Sequence, residues 1–141
     1  MAHADSTTNT TTNTNTNTNT TTNTTTNTRT VTGPERLDAY RLARELYRLV
    51  HDLAPHGSGL GDQLRRASAS CVLTIAEGVG RSSARDQARF FAIARGSALE
   101  CVAVLDLLEV LTSDARVAQA RPLAVRVVQT TSGLLRRHRA P

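Results

Sequence analysis

The sequence predicts an all-α fold: an antiparallel up-down-up-down four-helix bundle behind a disordered N-terminal tail. Three observations carry this expectation. Apolar residues recur at steps of three and four through four successive segments of about 20 residues or more, too long for strands. Short polar or glycine-containing breaks separate the segments, and short connections between long helices favour antiparallel neighbours. Residues 1–32 are almost wholly Thr and Asn, with too little apolar surface to offset the entropy of ordering them.

Gly33-Pro34 ends the tail and suits a helix start, since proline's missing N–H falls in the first turn. The first helix is predicted over Glu35–Ala54, with Leu37, Ala39, Tyr40, Ala43, Leu46, Tyr47, Val50 and Leu53 on one face. Pro55-His56-Gly57-Ser58-Gly59 interrupts the pattern. The second helix is predicted from Leu60 to Val79, turning Leu64, Ala67, Cys71, Ile75 and Val79 inward. Gly78 reads as its left-handed C′ residue, and Ser83 with Asp86 reads as a capping box for the next helix.

The third helix, Ala84 to Leu111, is apolar around much of its circumference: Phe90, Ile93, Ala94, Ala98, Cys101, Val102, Val104, Leu105, Leu108 and Leu111. Such a helix is expected to touch more than one neighbour and a second subunit. Gly96-Ser97 at its middle costs about 1 kcal/mol relative to alanine, and close approach of another backbone is the natural compensation. Ser113 or Asp114 caps the fourth helix, which carries Val117, Ala120, Ala124, Val127, Val128, Thr131 and Leu135 inward and frays near Arg137. Pro122 should kink or briefly break it. Its valines favour a strand by propensity, but helical spacing and length outweigh them. Residues 33–141 thus make one domain of modest size.

The stretch Gln63-Leu64-Arg65-Arg66-Ala67, then Ile75-Ala76-Glu77-Gly78, Gly80, Arg81, Arg89, Phe90, Gly96, Ser97 and Glu100, also carries a resemblance. It resembles the four-helix-bundle family named after open reading frames in intervening sequences of large-subunit ribosomal RNA genes. That family includes the accessory protein of diversity-generating retroelements. The likeness spans about residues 35–138, with Thr74 where the family has asparagine and Val72 where it often has proline. The resemblance implies a four-helix bundle, a homo-oligomer in the form of a ring-like pentamer, no agreed catalytic activity, and, from the retroelement relative, a reverse transcriptase and nucleic acid as partners.

The 17 basic residues are all arginine, against 12 acids. On the first helix Asp38, Arg41, Glu45, Arg48 and Asp52 alternate at helical spacing and are read as a self-paired solvent face. Residues 96–114 hold Glu100, Asp106, Glu109 and Asp114 with no arginine, while residues 115–141 hold six arginines and no acid. An antiparallel hairpin pivoting near residue 113 would pair Glu109 with Arg116, Asp106 with Arg121 and Glu100 with Arg126. The surplus gathers at one pole, where Arg81, Arg85 and Arg89 follow the glycine turn and Arg136, Arg137 and Arg139 end the chain. These six are the candidate nucleic-acid-binding residues. Glu77, Gly78 and Gly80 form the structural turn beside them, with Arg81 or Arg85 as the partner that relieves Glu77 at its helix C-terminus.

Catalytic chemistry finds little purchase. Gly78-x-Gly80-Arg81 lacks the preceding strand and the Lys-Ser/Thr of a phosphate loop. The histidines share no metal-ligand spacing, no nucleophile elbow occurs, and neither a cofactor nor a metal is expected. Cys71 and Cys101, placed about 18 Å apart along the hairpin axis by a pivot near residue 80, read as small buried apolar residues rather than a disulfide. No run of 18 apolar residues exists, so no membrane partner is expected and a cytoplasmic location is the default. Asn-x-Thr triplets in the tail follow no apolar signal segment and read as repeat chemistry rather than glycan acceptors. Four aromatics, most of them on core faces, argue against base stacking and for contacts to the backbone of RNA or DNA. The expectation is a non-enzymatic, self-associating basic module. The alternatives are a protein-interaction scaffold with no nucleic-acid role and, more weakly, an antitoxin-like or defence accessory.

Overall fold

The structure, a computed structural model, describes residues 33–53 and 57–138. A 3-10 turn, Pro34–Arg36, leads into α1 (Asp38–His51), α2 (Gly59–Val79), α3 (Ala84–Leu111) and α4 (Ala115–His138). Each helix packs on two neighbours in the cyclic order α1, α2, α3, α4, and the diagonal pairs do not approach. Cross-helix pairs fix the directions. Ser70 meets Ser97 (3.0 Å) and Gln63 meets Glu100 (3.1 Å) between α2 and α3, while Arg121 meets Asp106 (2.5 Å) between α3 and α4. Both pairs of helices are antiparallel, as the short connections predict. The tail expectation for residues 1–32, and Ala54 and Arg139, lie outside the described residues.

The core is aliphatic, with Phe91 its largest fully buried side chain among Leu46, Leu64, Ile75, Leu105, Val117 and Val127. Two hydroxyls share it. Ser68 donates to the Arg65 carbonyl (3.0 Å) and Thr131 to the Val127 carbonyl (2.7 Å), so each satisfies its burial on its own helix.

Several expectations are corrected. The first helix is shorter than Glu35–Ala54, because Arg36 and Leu37 donate to the Gly33 and Pro34 carbonyls in a tight turn. Leu37 then stays extended, and the α-helix opens only at Asp38. Gly78 is no left-handed cap: α2 runs through it to Val79, Gly80 follows in right-handed conformation (φ −75°), and only Gly33 and Gly57 among the described residues have positive φ. Gly78 is glycine for space, since a Cβ there would lie 2.8 Å from Cε1 of Phe91.

The Ser70–Ser97 and Gln63–Glu100 pairs put the hairpin midpoint between residues 81 and 84 rather than at 80. Cys71 and Cys101 are then offset by about 7.5–13.5 Å along the axis at 1.5 Å per residue. Both remain free thiols, and burial pushes each up to about 12. Pro122 sits inside an unbroken α4. It deprives the Ala118 carbonyl of its donor, but Ala118 and Pro122 are both exposed, so water can replace it.

On α3 the inward aromatic is Phe91, with Phe90 half-buried, and Ile93 and Leu111 are exposed. A corner helix with two neighbours covers less of its circumference than the composition suggested. Asp106–Arg121 forms as expected, but Arg116 turns back on Asp114 (2.6 Å) and donates to the Asp52 carbonyl (2.9 Å), and Glu100 accepts from Gln63 instead of Arg126. Of the alternating stripe on α1, Asp38–Arg41 is the close pair among the described residues.

Candidate nucleic-acid interface

Three segments build one pole of the bundle. Gly33 approaches Val79 so closely that a Cβ on it would lie 3.5 Å from Cγ1, which brings the Pro34–Arg36 turn to the end of α2. His138 meets Phe91 edge-on at 5.0 Å, which brings the end of α4 to the start of α3. The His138 ring is oriented by its Nδ1–H, which donates to the Leu134 carbonyl (2.7 Å). Arg81, Arg85 and Arg89 therefore share this end with Arg136 and Arg137, as the topology predicts. Arg36, at the end of the opening turn, joins them, though no sequence motif marks it.

Within the pole the arginines are not equivalent. Arg81 is held: its guanidinium lies 4.4 Å from the Phe90 ring centroid and 3.4 Å from Glu77 Oε1. That pair relieves the carboxylate at the negative end of the α2 dipole. Gln87 Nε2 donates to the Arg81 carbonyl (2.9 Å), a brace on the turn that no sequence pattern announced. Arg85, Arg89, Arg136 and Arg137 are exposed and form no ion pair among the described residues. With Arg36, which is likewise exposed and without an ion pair among the described residues, these are the available charges of the pole.

The glycine turn offers little to an anion by itself. The Gly80 amide donates to the Ala76 and Glu77 carbonyls and the Arg81 amide to Gly78, so both are already engaged. The Asp86 amide donates to Ser83 Oγ (3.1 Å), which is the expected cap of α3. Phosphate contacts at this pole would come from guanidinium side chains.

Elsewhere on the surface arginines and acids are interspersed, though Arg44, Arg48, Arg66, Arg95 and Arg126 also form no ion pair among the described residues. At the opposite pole the guanidinium of Arg116 holds the Asp114 carboxyl below the usual carboxylate range, and Arg65 does the same for Asp62. An open groove of about 650 Å³ between α1 and α4 carries Arg48, Arg116 and Arg126, but Glu45 and Asp52 share it. Among the described residues no three His, Cys, Asp or Glu side chains are placed to hold a metal ion. Nor, among the described residues, is any helix long and apolar enough to cross a membrane.

The sequence pattern of the 23S rRNA-intervening sequence protein family matches residues 36–115, from the opening turn to the first residue of α4. Comparison with curated proteins gives no match. Arg81, Arg85 and Arg89 fall within the family match, while Arg136 and Arg137 lie beyond it. The match covers more than half of the chain and coincides with the first three helices of the bundle, and on that ground the chain belongs to the 23S rRNA-intervening sequence protein family.

Proposed function

We propose that this chain is a non-enzymatic, self-associating helical-bundle module that holds nucleic-acid phosphates at its basic pole. The observation that carries the reading is the gathering of Arg85 and Arg89 from α3 with Arg136 and Arg137 from α4 at one end, exposed and without acidic partners among the described residues. Guanidinium groups suit this role because their fixed fork matches phosphate oxygens. The family's name, which refers to intervening sequences of 23S rRNA, supports nucleic acid as the partner class.

Recognition at this pole is backbone-directed. Phe91 is buried and Phe90 lies half-buried beneath Arg81, so neither phenylalanine at the pole offers an open face for a base to stack on. Each protomer offers only a few phosphate contacts, which alone bind weakly; repetition of the pole in an assembly raises avidity without new contacts. The test is a titration of labelled RNA and DNA oligonucleotides of unrelated sequence. Comparable affinity across sequences is expected, and strong preference for one sequence, or no binding near physiological salt, would refute it.

A scaffold role has one observation in its favour: α3 leaves a large apolar face uncovered. Self-association accounts for that face without a second kind of partner.

A further inference from the structure

Six large hydrophobic side chains are exposed among the described residues, and five of them lie on α3. Leu107, Val110 and Leu111 are 54%, 84% and 71% exposed, with Ile93 and Leu99 nearly half. At 100° per residue Ala92, Gly96, Leu99, Ala103, Leu107 and Val110 fall on one line directly opposite the core-facing residues Ala94, Ala98, Cys101 and Leu105. Gly96 stands in this line with nothing within 4 Å of where its Cβ would be, so no packing inside the chain explains it. From residue 96 to the end of α3 the acids outnumber the arginines beside the stripe: Glu100 on the α2 side, and Asp106 and Glu109 on the α4 side, where Arg121 offsets one of the two.

The sixth exposed hydrophobe, Leu73 (65%), lies elsewhere. It borders an open groove of about 490 Å³ between α1 and α2, whose floor is Tyr40, Tyr47, Ala69 and Val72 and whose rim is Arg44 and Arg48. Neither arginine has an ion pair among the described residues, and Arg44 lies 5.8 Å from the Tyr40 ring centroid. The chain thus presents a convex apolar ridge with acidic margins and a concave apolar groove with basic margins, on different sides of the bundle.

We infer that the α3 ridge of one copy seats in the α1/α2 groove of the next, a head-to-tail contact that carries the self-association proposed above and rests on that reading. Shape and charge both match across it. The small residues Gly96 and Ala103 let a neighbouring backbone approach, and the acidic margins face Arg44 and Arg48. A symmetric ridge-on-ridge pairing fits less well. Centred on the stripe, it would set two Glu100 carboxylates side by side at the dyad and leave Leu73 and the groove in water. Head-to-tail contacts repeat, and they close into a ring when the rotation between copies allows it.

Two surface variants of the full chain separate the possibilities. Leu107→Glu with Val110→Glu spoils the ridge, and Leu73→Glu with Val72→Ser spoils the groove; circular dichroism first verifies that each keeps its helices. By light scattering, each variant alone should fall to the 15.2 kDa of one chain. An equimolar mixture should then recover a species of two chains, because one intact ridge meets one intact groove. A groove variant that keeps the wild-type mass while the ridge variant loses it would overturn the inference in favour of symmetric pairing. Two variants that both keep the wild-type mass would overturn the surfaces but not self-association, whereas a monomeric wild type would overturn both. Should Val72→Ser unfold the half-buried site, Leu73→Glu with Arg44→Glu probes the same groove from exposed and rim positions.

Discussion

Gly78 lies directly against Phe91 where α2 packs on α3: a Cβ on the glycine would lie 2.8 Å from Cε1 and 3.1 Å from Cδ1 of the ring, with the Phe90 Cβ at 3.2 Å. Phe91 is fully buried and also meets His138, so it has no empty space to retreat into. Overpacking of this kind costs about 1–3 kcal/mol, more than the roughly 1 kcal/mol a helical glycine forfeits to alanine. Gly78→Ala should therefore destabilise the fold in urea titrations. A more stable variant would show that the ring yields freely.

Gly96→Ala should do the reverse. Its Cβ meets open space within the chain, so the helix gains up to about 1 kcal/mol with no clash. Chemical denaturation of a monomeric ridge variant carrying Gly96→Ala measures this without interference from assembly, and a loss of stability would reveal an intramolecular contact.

The fold was legible because the helices are long and their inward faces are regular; α3 starts and ends where the periodicity puts it. The short turn before α1 was less legible, since Pro34 suits a 3-10 turn as well as an α-helix. Gly78 misled for a related reason. A glycine near a helix end signals a cap, but the need for glycine here comes from an aromatic ring 13 residues later, which only the tertiary packing reveals. The arginine pole followed from topology alone, since antiparallel helices return their ends to one side. Which arginines remain unpaired did not follow, because pairing depends on flank and register: Arg116 found Asp114 and Glu100 found Gln63.

The two buried thiols predict an alkaline limit. Burial raises each from an ordinary value near 9 to about 12, so above pH 9 the unfolded chain loses protons that the folded chain retains. Stability should fall as pH rises from about 9 toward 12, with a slope of up to ~1.4 kcal/mol per pH unit for each thiol. Urea midpoints of Cys71→Ala and Cys101→Ala measured across this range should show a shallower decline than wild type, whatever their offset at neutral pH. Equal slopes would mean that the thiols ionise within the fold.

An acid limit comes from Asp114. Its carboxylate accepts from the Arg116 amide (2.9 Å) and pairs with the Arg116 guanidinium, which lowers its folded value. The contribution is complete above the ordinary carboxylate range, about pH 4, and is lost as pH falls through the folded value. Asp114→Asn keeps an acceptor at the start of α4 and should flatten the acid limb of Tm against pH, while Asp114→Ala should lower Tm at neutral pH as well.

The central claim is that unpaired arginines at one pole hold nucleic-acid phosphates, and salt dependence tests it most directly. Each phosphate neutralised contributes about −0.7 for single strands, or −0.9 for duplex, to the slope of log affinity against log salt. Substituting Arg85, Arg136 and Arg137 with Gln should reduce that slope by as much as ~2 on single-stranded RNA and weaken binding to all sequences alike. Arg121→Gln, whose charge is already matched by Asp106 at 2.5 Å, should leave the slope nearly unchanged. An equal change from both substitutions, or an unchanged slope in the pole variant, would contradict the account.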